Sequence, residues 1–360
     1  MTATITKPQK NQSQSAPSQG SLAHQSALIK MASATWVSKT VYVAAKLGIA
    51  DLLSEGPKSS AELAAATQTD APSLFRLLRA LASLGIFTET EPSCFALAPT
   101  GHFLRSDIPD SLRGMAILHG EDDYKAWDCL LNSVNTGERA FKKLYDMPVF
   151  EYMKQNAASA KTFDAAMTSY SSTAIPAILS GYDFSNTTVL LDVGGGVGSL
   201  LVAIQQANTN LKGILSELPP VVEKAEAFVA DSKMAERTQL VAGDFFKSVP
   251  SGADTCLLKH IIHNWDDDEA IAILEKCRQA LTTDGKLLLV EHIITPGDTP
   301  CFGKLFDVSM LLWCEGGKER TELEYKDLLR RAGFELTQVI PTQTPLSIID
   351  AVPLALGASQ

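Results

Sequence analysis

The stretch LLDVGGGVGSLL, Leu190–Leu201, decides the fold. An apolar run passes through Asp192 and Val193. Glycines follow at Gly194, Gly195, Gly196 and Gly198, and an apolar helical pattern opens at Ser199. A strand that ends in glycines and turns straight into a helix lets backbone approach a ligand closely, because no Cβ stands in the way. The glycine order differs from GxGxxG: Ser199 follows Gly198 and no glycine or alanine stands two positions later. GK[ST] is absent, which excludes a phosphate-binding P-loop. Taken alone, the turn is weak evidence and could be a tight turn without a ligand.

Downstream, GILSE, QLVAG, TCLLKH and KLLLVE alternate with helical stretches such as SLLVAIQQA and DEAIAILEKCRQAL. Near-continuous apolar strands separated by helices predict a parallel sheet buried on both faces. FELTQVI and LSIIDAV, separated by a Pro- and Thr-containing turn, should close it as an antiparallel hairpin. The fold class is α/β, doubly wound. Further signals fall at carboxyl ends of strands, the ligand crevice of such sheets. Glu217 ends the second strand at the offset where a carboxylate bonds ribose hydroxyls. Asp244 and Phe245 follow the third, suited to an adenine amino group and ring face. In LLKHIIHNWDDDEA, Asp266 reads as a helix N-cap with Glu269 as its capping-box partner. His263 then falls on the loop above the sheet, with His260 at the strand end. A histidine there can take a proton near neutrality, although a lone histidine is more often structural.

Upstream, apolar periodicity from about Ala27 through Trp36, Val37, Val41 and Leu47 predicts one helix, stopped by Gly48. A helix over AELAAAT capped at Ser59 or Ser60, a second over Ser73–Leu84, and a hairpin of IFTET and CFALAP around Glu91-Pro92-Ser93 make a winged-helix arrangement. Charges between Lys58 and Arg105 are few and nearly balanced, so dimerisation suits this unit better than DNA reading. The exposed apolar face of the first helix fits a dimer seam. The expected division is a disordered tail at 1–24, a winged-helix-like dimerisation domain at 25–115, a helical bridge at 116–180 and a catalytic domain at 181–356. The net charge of −10 argues against nucleic acid or anionic membrane as partner. Six scattered cysteines, with neither CxxC nor Cys/His metal spacing, fit reduced thiols in the cytoplasm and no metal site.

With these residues on the page, the chain closely resembles the plant-type small-molecule O-methyltransferases and their bacterial relatives, the caffeate and acetylserotonin O-methyltransferase family. LGIADLL, LLRALASLGIF, FDAAMTSYS, LLDVGGGVGSLL, SELPPVV, GDFF, LLKHIIHNWDDDEA, VEHI and GGKERTELEYKDLLRRAGF carry the likeness from Leu47 to Phe334. The resemblance implies a class I methyltransferase fold, a homodimer, S-adenosyl-L-methionine as methyl donor and a small hydroxylated acceptor. It implies His263 as catalytic base flanked by Glu291 and Glu319. It implies donor binding by Ser171, Asp192, Gly194, Gly196, Glu217, Leu218, Asp244, Phe245 and Lys259, and an acceptor pocket that includes Phe163, Met167, Tyr170, Asn264 and Met310. The chain departs from the family pattern in four places. Asn264 stands where Asp is common, Tyr170 where plant members have His, and Ser216-Glu217 where they have Phe-Asp; the segment around His119 lacks a substrate-facing Asn. Two other readings stay open: a donor-sensing binding protein, and a same-fold enzyme that keeps the donor but performs decarboxylation, hydroxylation or cyclisation.

Overall fold

The computed structural model describes residues 19–355. Residues 1–18 of the expected tail, and residue 356 at the end of the expected catalytic domain, lie outside them. The rest of that tail is not disordered: the first helix begins at Gln19 and runs to Ala32. The single helix expected from Ala27 is also divided. A second helix, Ala34–Leu47, starts after Ser33, and Gly48 at φ 67° ends it.

The winged-helix pattern is present. Helix Ser60–Thr67 opens with a capping box between Ser59 and Glu62. Helix Ala71–Ser83 starts earlier than the periodicity suggested, because the Asp70 side chain caps the Ser73 N–H and proline is tolerated in the first turn. The hairpin Phe87–Glu91 with Cys94–Leu97 follows, and Lys58–Ser59 adds a third short strand. Leu63, Leu74, Leu78, Leu81, Phe87 and Phe95 form its core. Leu28, Ile29, Met31 and Trp36 stay exposed, Trp36 by 73%.

Short helices lead from Arg113 to the 25-residue helix Ala157–Gly181, which contains Pro176. Helix Arg113–Gly120 crosses that long helix at Gly114, where a Cβ would come within 2.5 Å of the Ala165 carbonyl carbon. Only glycine permits so close a crossing.

The seven long strands of the large sheet are β1 (Val189–Val193), β2 (Lys212–Glu217), β3 (Thr238–Ala242), β4 (Ala253–Lys259), β5 (Leu281–Ile294), β6 (Phe334–Pro341) and β7 (Leu346–Pro353). Their spatial order is β6-β7-β5-β4-β1-β2-β3. The β1–β5 pairings are parallel, and β7 runs antiparallel to both β5 and β6. Side chains alternate across the sheet. Leu191, Val193, Cys256, Leu258, Leu287 and Leu289 pack on one face. Leu190, Leu257, Leu288 and Val290 pack on the other. Both faces are therefore dry, which explains why the strands read as unbroken apolar runs. One small element escaped the sequence: Arg320–Thr321 pairs in parallel with the end of β5. Chain order reverses between β1 and β4, so the carboxyl ends of those two strands define the ligand crevice.

Candidate active site

Three of the glycines after β1 need the left-handed backbone: Gly194, Gly196 and Gly198 have φ of 69°, 62° and 86°. A Cβ on Gly194 would strike Ile261, whereas one on Gly196 would meet nothing within 4 Å, so the turn faces open space there. Glu217, at the end of β2, accepts from Gly196 N at 3.2 Å and from Leu218 N at 2.7 Å. Burial still raises its carboxyl pKa, against the pull of those two N–H groups. Asp244 accepts from Phe246 N at 3.0 Å, beside the partly buried Phe245 ring.

Asp192 is 1% exposed, and neither carboxylate oxygen has a partner. Desolvation pushes its pKa up to about 7, while Lys259 opposes the shift and Glu217 adds to it. Lys259 is itself held below its usual range by burial, against the charges of Asp192 and Glu291, and its Nζ reaches Ser171 Oγ at 3.3 Å. A buried acceptor without donors, a buried amine and an open glycine turn fit a ligand carrying an ammonium, a carboxylate and a ribose. The donor expected from the sequence has all three.

Past the end of β4 lies the proton-handling half. His263 is 4% exposed, and its Nδ1 lies 2.7 Å from Glu319 Oε1 and 3.4 Å from Glu291 Oε2. Glu291, on β5, accepts from Ile261 N and Ile262 N at 3.1 and 2.9 Å, which fixes the His263 loop to the sheet. Burial raises Glu291 to about 7 and Glu319 to about 8, with His263 opposing the first shift and Asp307 adding to the second. Burial also lowers the His263 imidazole, with Glu291 working the other way. Desolvation thus drives all three groups toward their neutral forms. With Nδ1 turned to the carboxylates, Nε2 is the ring atom left to take a proton.

Arg320, fully buried, clasps this loop. Its guanidinium donates to Asp267 Oδ1 at 3.0 and 2.8 Å, to Ile262 O at 3.2 Å and to Trp265 O at 3.0 Å. Asp267, read from sequence as a helix-start residue, is thus also the counter-charge of the clasp. Asp266 does cap Glu269 N at 2.9 Å, yet among the described hydrogen bonds Glu269 does not return the bond a capping box requires. The Asn264 amide is spent on the fold, donating to His260 O and accepting from Cys314 Sγ.

Opposite His263, Phe306 (5.8 Å between centroids) leads into an aromatic cluster with Phe163, Phe141, Trp313 and Met310. Met167 and Tyr170 lie on the same long helix as Phe163, both partly buried. Sequence reasoning missed the network behind Tyr170. The Tyr170 hydroxyl meets His119 Nε2 at 2.7 Å, and His119 Nδ1 meets Asp123 at 2.6 Å. Asp123 also accepts from Trp313 Nε1 at 2.7 Å. The i, i+4 spacing of His119 and Asp123 was the available signal; Trp313 gave none.

A parallel-sheet crevice with a glycine turn, a carboxylate at the end of the next strand and a buried histidine–carboxylate cluster has the architecture of the class I methyltransferase fold. The family model described as O-methyltransferase domain matches residues 127–335, and the one described as O-methyltransferase dimerisation domain matches 29–107. The chain belongs to that O-methyltransferase family. It is 42% identical to the phenazine O-methyltransferase PhzM of Lysobacter antibioticus, over 93% of this chain and 98% of the relative. It is 32% identical to a phenazine-1-carboxylate N-methyltransferase of Pseudomonas aeruginosa, over 89% and 96%. Human N-acetylserotonin methyltransferase, solved in complex with SAM, superposes with a TM-score of 0.86 at 26% identity, covering 95% of this chain and 99% of that one.

Proposed function

We propose that this S-adenosyl-methionine-dependent O-methyltransferase methylates a phenolic hydroxyl of a small aromatic metabolite, with His263 as general base and no metal in the reaction. The observation that carries the reading is the His263 ring, tied at Nδ1 to Glu319 at 2.7 Å and placed between the donor crevice and the aromatic cluster. Asp192 takes the donor's ammonium, and Lys259 with Ser171 its carboxylate. Glu217 takes the ribose hydroxyls, with the Leu218 N–H holding that carboxylate in place. Asp244 and Phe245 take the adenine, while Gly194 and Gly196 give the backbone clearance. The bound donor supplies a methyl group on a sulfonium, which needs no activation by the protein. A phenol has pKa ~10 and is scarcely ionised at neutrality, so removing its proton is the protein's task. His263 Nε2 takes that proton as the oxygen attacks, and Glu319 and Glu291 stabilise the imidazolium that results. Phe163, Met167, Met310 and Tyr170 wall the acceptor.

Kept with this reading are the division into a 25–115 dimerisation domain, a 116–180 bridge and a 181–356 catalytic domain, a homodimer, and a cytoplasmic location that rests on the six free cysteines. The exposed Leu28, Ile29, Met31 and Trp36 favour the dimer. No described helix is long and apolar enough to cross a membrane.

The N-methyltransferase relative makes the acceptor atom the decisive question. Matched phenol and aniline versions of the same aromatic acids, incubated with labelled donor, should show label on oxygen alone. Label on nitrogen with inert phenols would overturn the reading.

A further inference from the structure

Beside the base lies a set of buried donor atoms, two on the carboxylates that steady it and one on a histidine that the methyl-transfer reading does not employ. His260 Nδ1, Glu291 Oε2 and Glu319 Oε2 are all buried without a hydrogen-bond partner. Glu291 and Glu319 are 0% and 3% exposed. Orphaned polar atoms in a dry interior are costly, and His260 Nδ1 and Glu291 Oε2, which converge, need a common explanation. They surround His263. Its Nδ1 is 3.4 Å from Glu291 Oε2, and His260 Nδ1 is 3.9 Å from that same oxygen. One ligand atom each from His260, His263 and Glu291 fits within a mutual distance of 4.8 Å.

We propose that His260, His263 and Glu291 form a site for one zinc-type divalent transition-metal ion, with solvent as its fourth ligand, and that filling it switches methyl transfer off. Tetrahedral zinc with bonds of about 2.0–2.2 Å sets its ligand atoms roughly 3.3–3.6 Å apart. The 3.4 and 3.9 Å separations meet that requirement with shifts of a few tenths of an ångström. Glu319 Oε1, at 2.7 Å from His263 Nδ1, gives up that contact when the metal takes the nitrogen, and water completes the tetrahedron. Two imidazoles and one carboxylate suit zinc or cobalt, whereas magnesium and calcium prefer oxygen alone. A dication also answers two buried carboxylates that the fold leaves under-partnered. Access exists, since the His260 side chain is 19% exposed.

The placement of His260 looks built. Its backbone sits at φ 56°, uncommon for a residue with a side chain, although histidine, asparagine and aspartate enter that region most readily. The position is held by His260 N donating to Val290 O at 3.1 Å and by His260 O accepting from Asn264.

The inhibitory half of the proposal rests on His263 being the base. A metal on Nδ1 occupies the lone pair there, and the proton Nδ1 carried moves to Nε2 if the ring stays neutral. Nε2 is then an N–H donor and cannot accept the acceptor's proton. Any proton on Glu291 leaves to solvent as the carboxylate coordinates.

The test begins with full-length protein stripped by chelator and titrated with Co²⁺ in the absence of donor and acceptor. This readout stands whether or not oxygen is the methylated atom. One Co²⁺ per chain with the visible absorption of a tetrahedral site, displaced by Zn²⁺, is expected. His260→Asn keeps a residue that tolerates the left-handed backbone and removes the ligand. It should weaken Co²⁺ on the order of tenfold or more, retain methyl transfer in chelator, and lose zinc inhibition by the same factor. Glu291→Gln should weaken Co²⁺ similarly, which keeps the test open if His260→Asn does not fold. No Co²⁺ uptake, with a water bridging His260 and Glu291 instead, overturns the proposal. So does equal binding by both variants and the parent, or the near-ultraviolet band of cobalt–thiolate, which would assign the ion to cysteine.

Discussion

The two halves of the crevice are built in different ways. The donor half comes from consecutive strand ends: Asp192 and the glycine turn after β1, Glu217 after β2, Asp244 after β3. Each ligand candidate follows its own apolar run, and backbone bonds such as Gly194 N to Ser216 O (2.9 Å) and Gly243 N to Glu217 O (2.8 Å) stitch neighbouring turns together. The acceptor half draws on segments from 119 to 319, and its side chains hold one another. His263 rests on Glu319 and Glu291, Arg320 clasps the loop, and Trp313 reaches back 190 residues to Asp123. A site made of backbone turns and a site made of side-chain ties should fail separately.

His263→Ala should break the acceptor half most severely. The kcat should fall by about 10² to 10⁴, the range of a general base, while calorimetric affinity for S-adenosyl-methionine stays within experimental error. Loss of donor binding in that variant would show that the halves are not independent. Glu217→Ala should do the opposite. Removing a carboxylate that bonds the ribose forfeits about 1.5–3 kcal/mol, so donor affinity should weaken roughly 10- to 100-fold with the pH profile of the chemical step unchanged.

The pH profile itself sharpens the comparison. In chelator-treated enzyme, a protonated Glu319 would donate its O–H to His263 Nδ1 and force the proton onto Nε2, abolishing the base. The carboxyl is raised to about 8, so kcat should rise with pH and be lost as pH falls through that region, the apparent value belonging to the coupled cluster. Donor affinity should not follow that curve. A flat profile between pH 6 and 9 (about the span set by these groups) would contradict the Glu319 role. The smallest effect is expected from Tyr170→Phe, which removes one hydrogen bond worth about 1 kcal/mol. Acceptor KM should rise about fivefold with donor KM constant.

The same contrast explains what could be read from the sequence. The glycine turn, Glu217, Asp244 and the seven long strands of the large sheet were legible because local apolar runs and local turn chemistry create them. His263 was legible as a loop histidine above the sheet, but its choice as base and its partners Glu291 and Glu319 came only through family resemblance, since nothing in their spacing tells that residues 28 and 56 positions beyond the histidine converge on it. Asp123, Trp313, Arg320 and the open Nδ1 of His260 were invisible for the same reason: each acquires its role from a tertiary contact. The break at Ser33 was missed because apolar periodicity continues across it.

One feature of the long helix Ala157–Gly181 reaches further. Its first half carries Phe163, Met167 and Tyr170, while Ala174 and Ile178 anchor its second half in the sheet core. Pro176 stands within the anchored part, exposed, with no N–H to offer the turn before it. The ladder is therefore weakest where it passes Ser172, next to Ser171, whose hydroxyl meets Lys259. The half of the helix that walls the aromatic cluster is thus coupled to the half rooted in the sheet through one backbone bond fewer than an unbroken ladder would give.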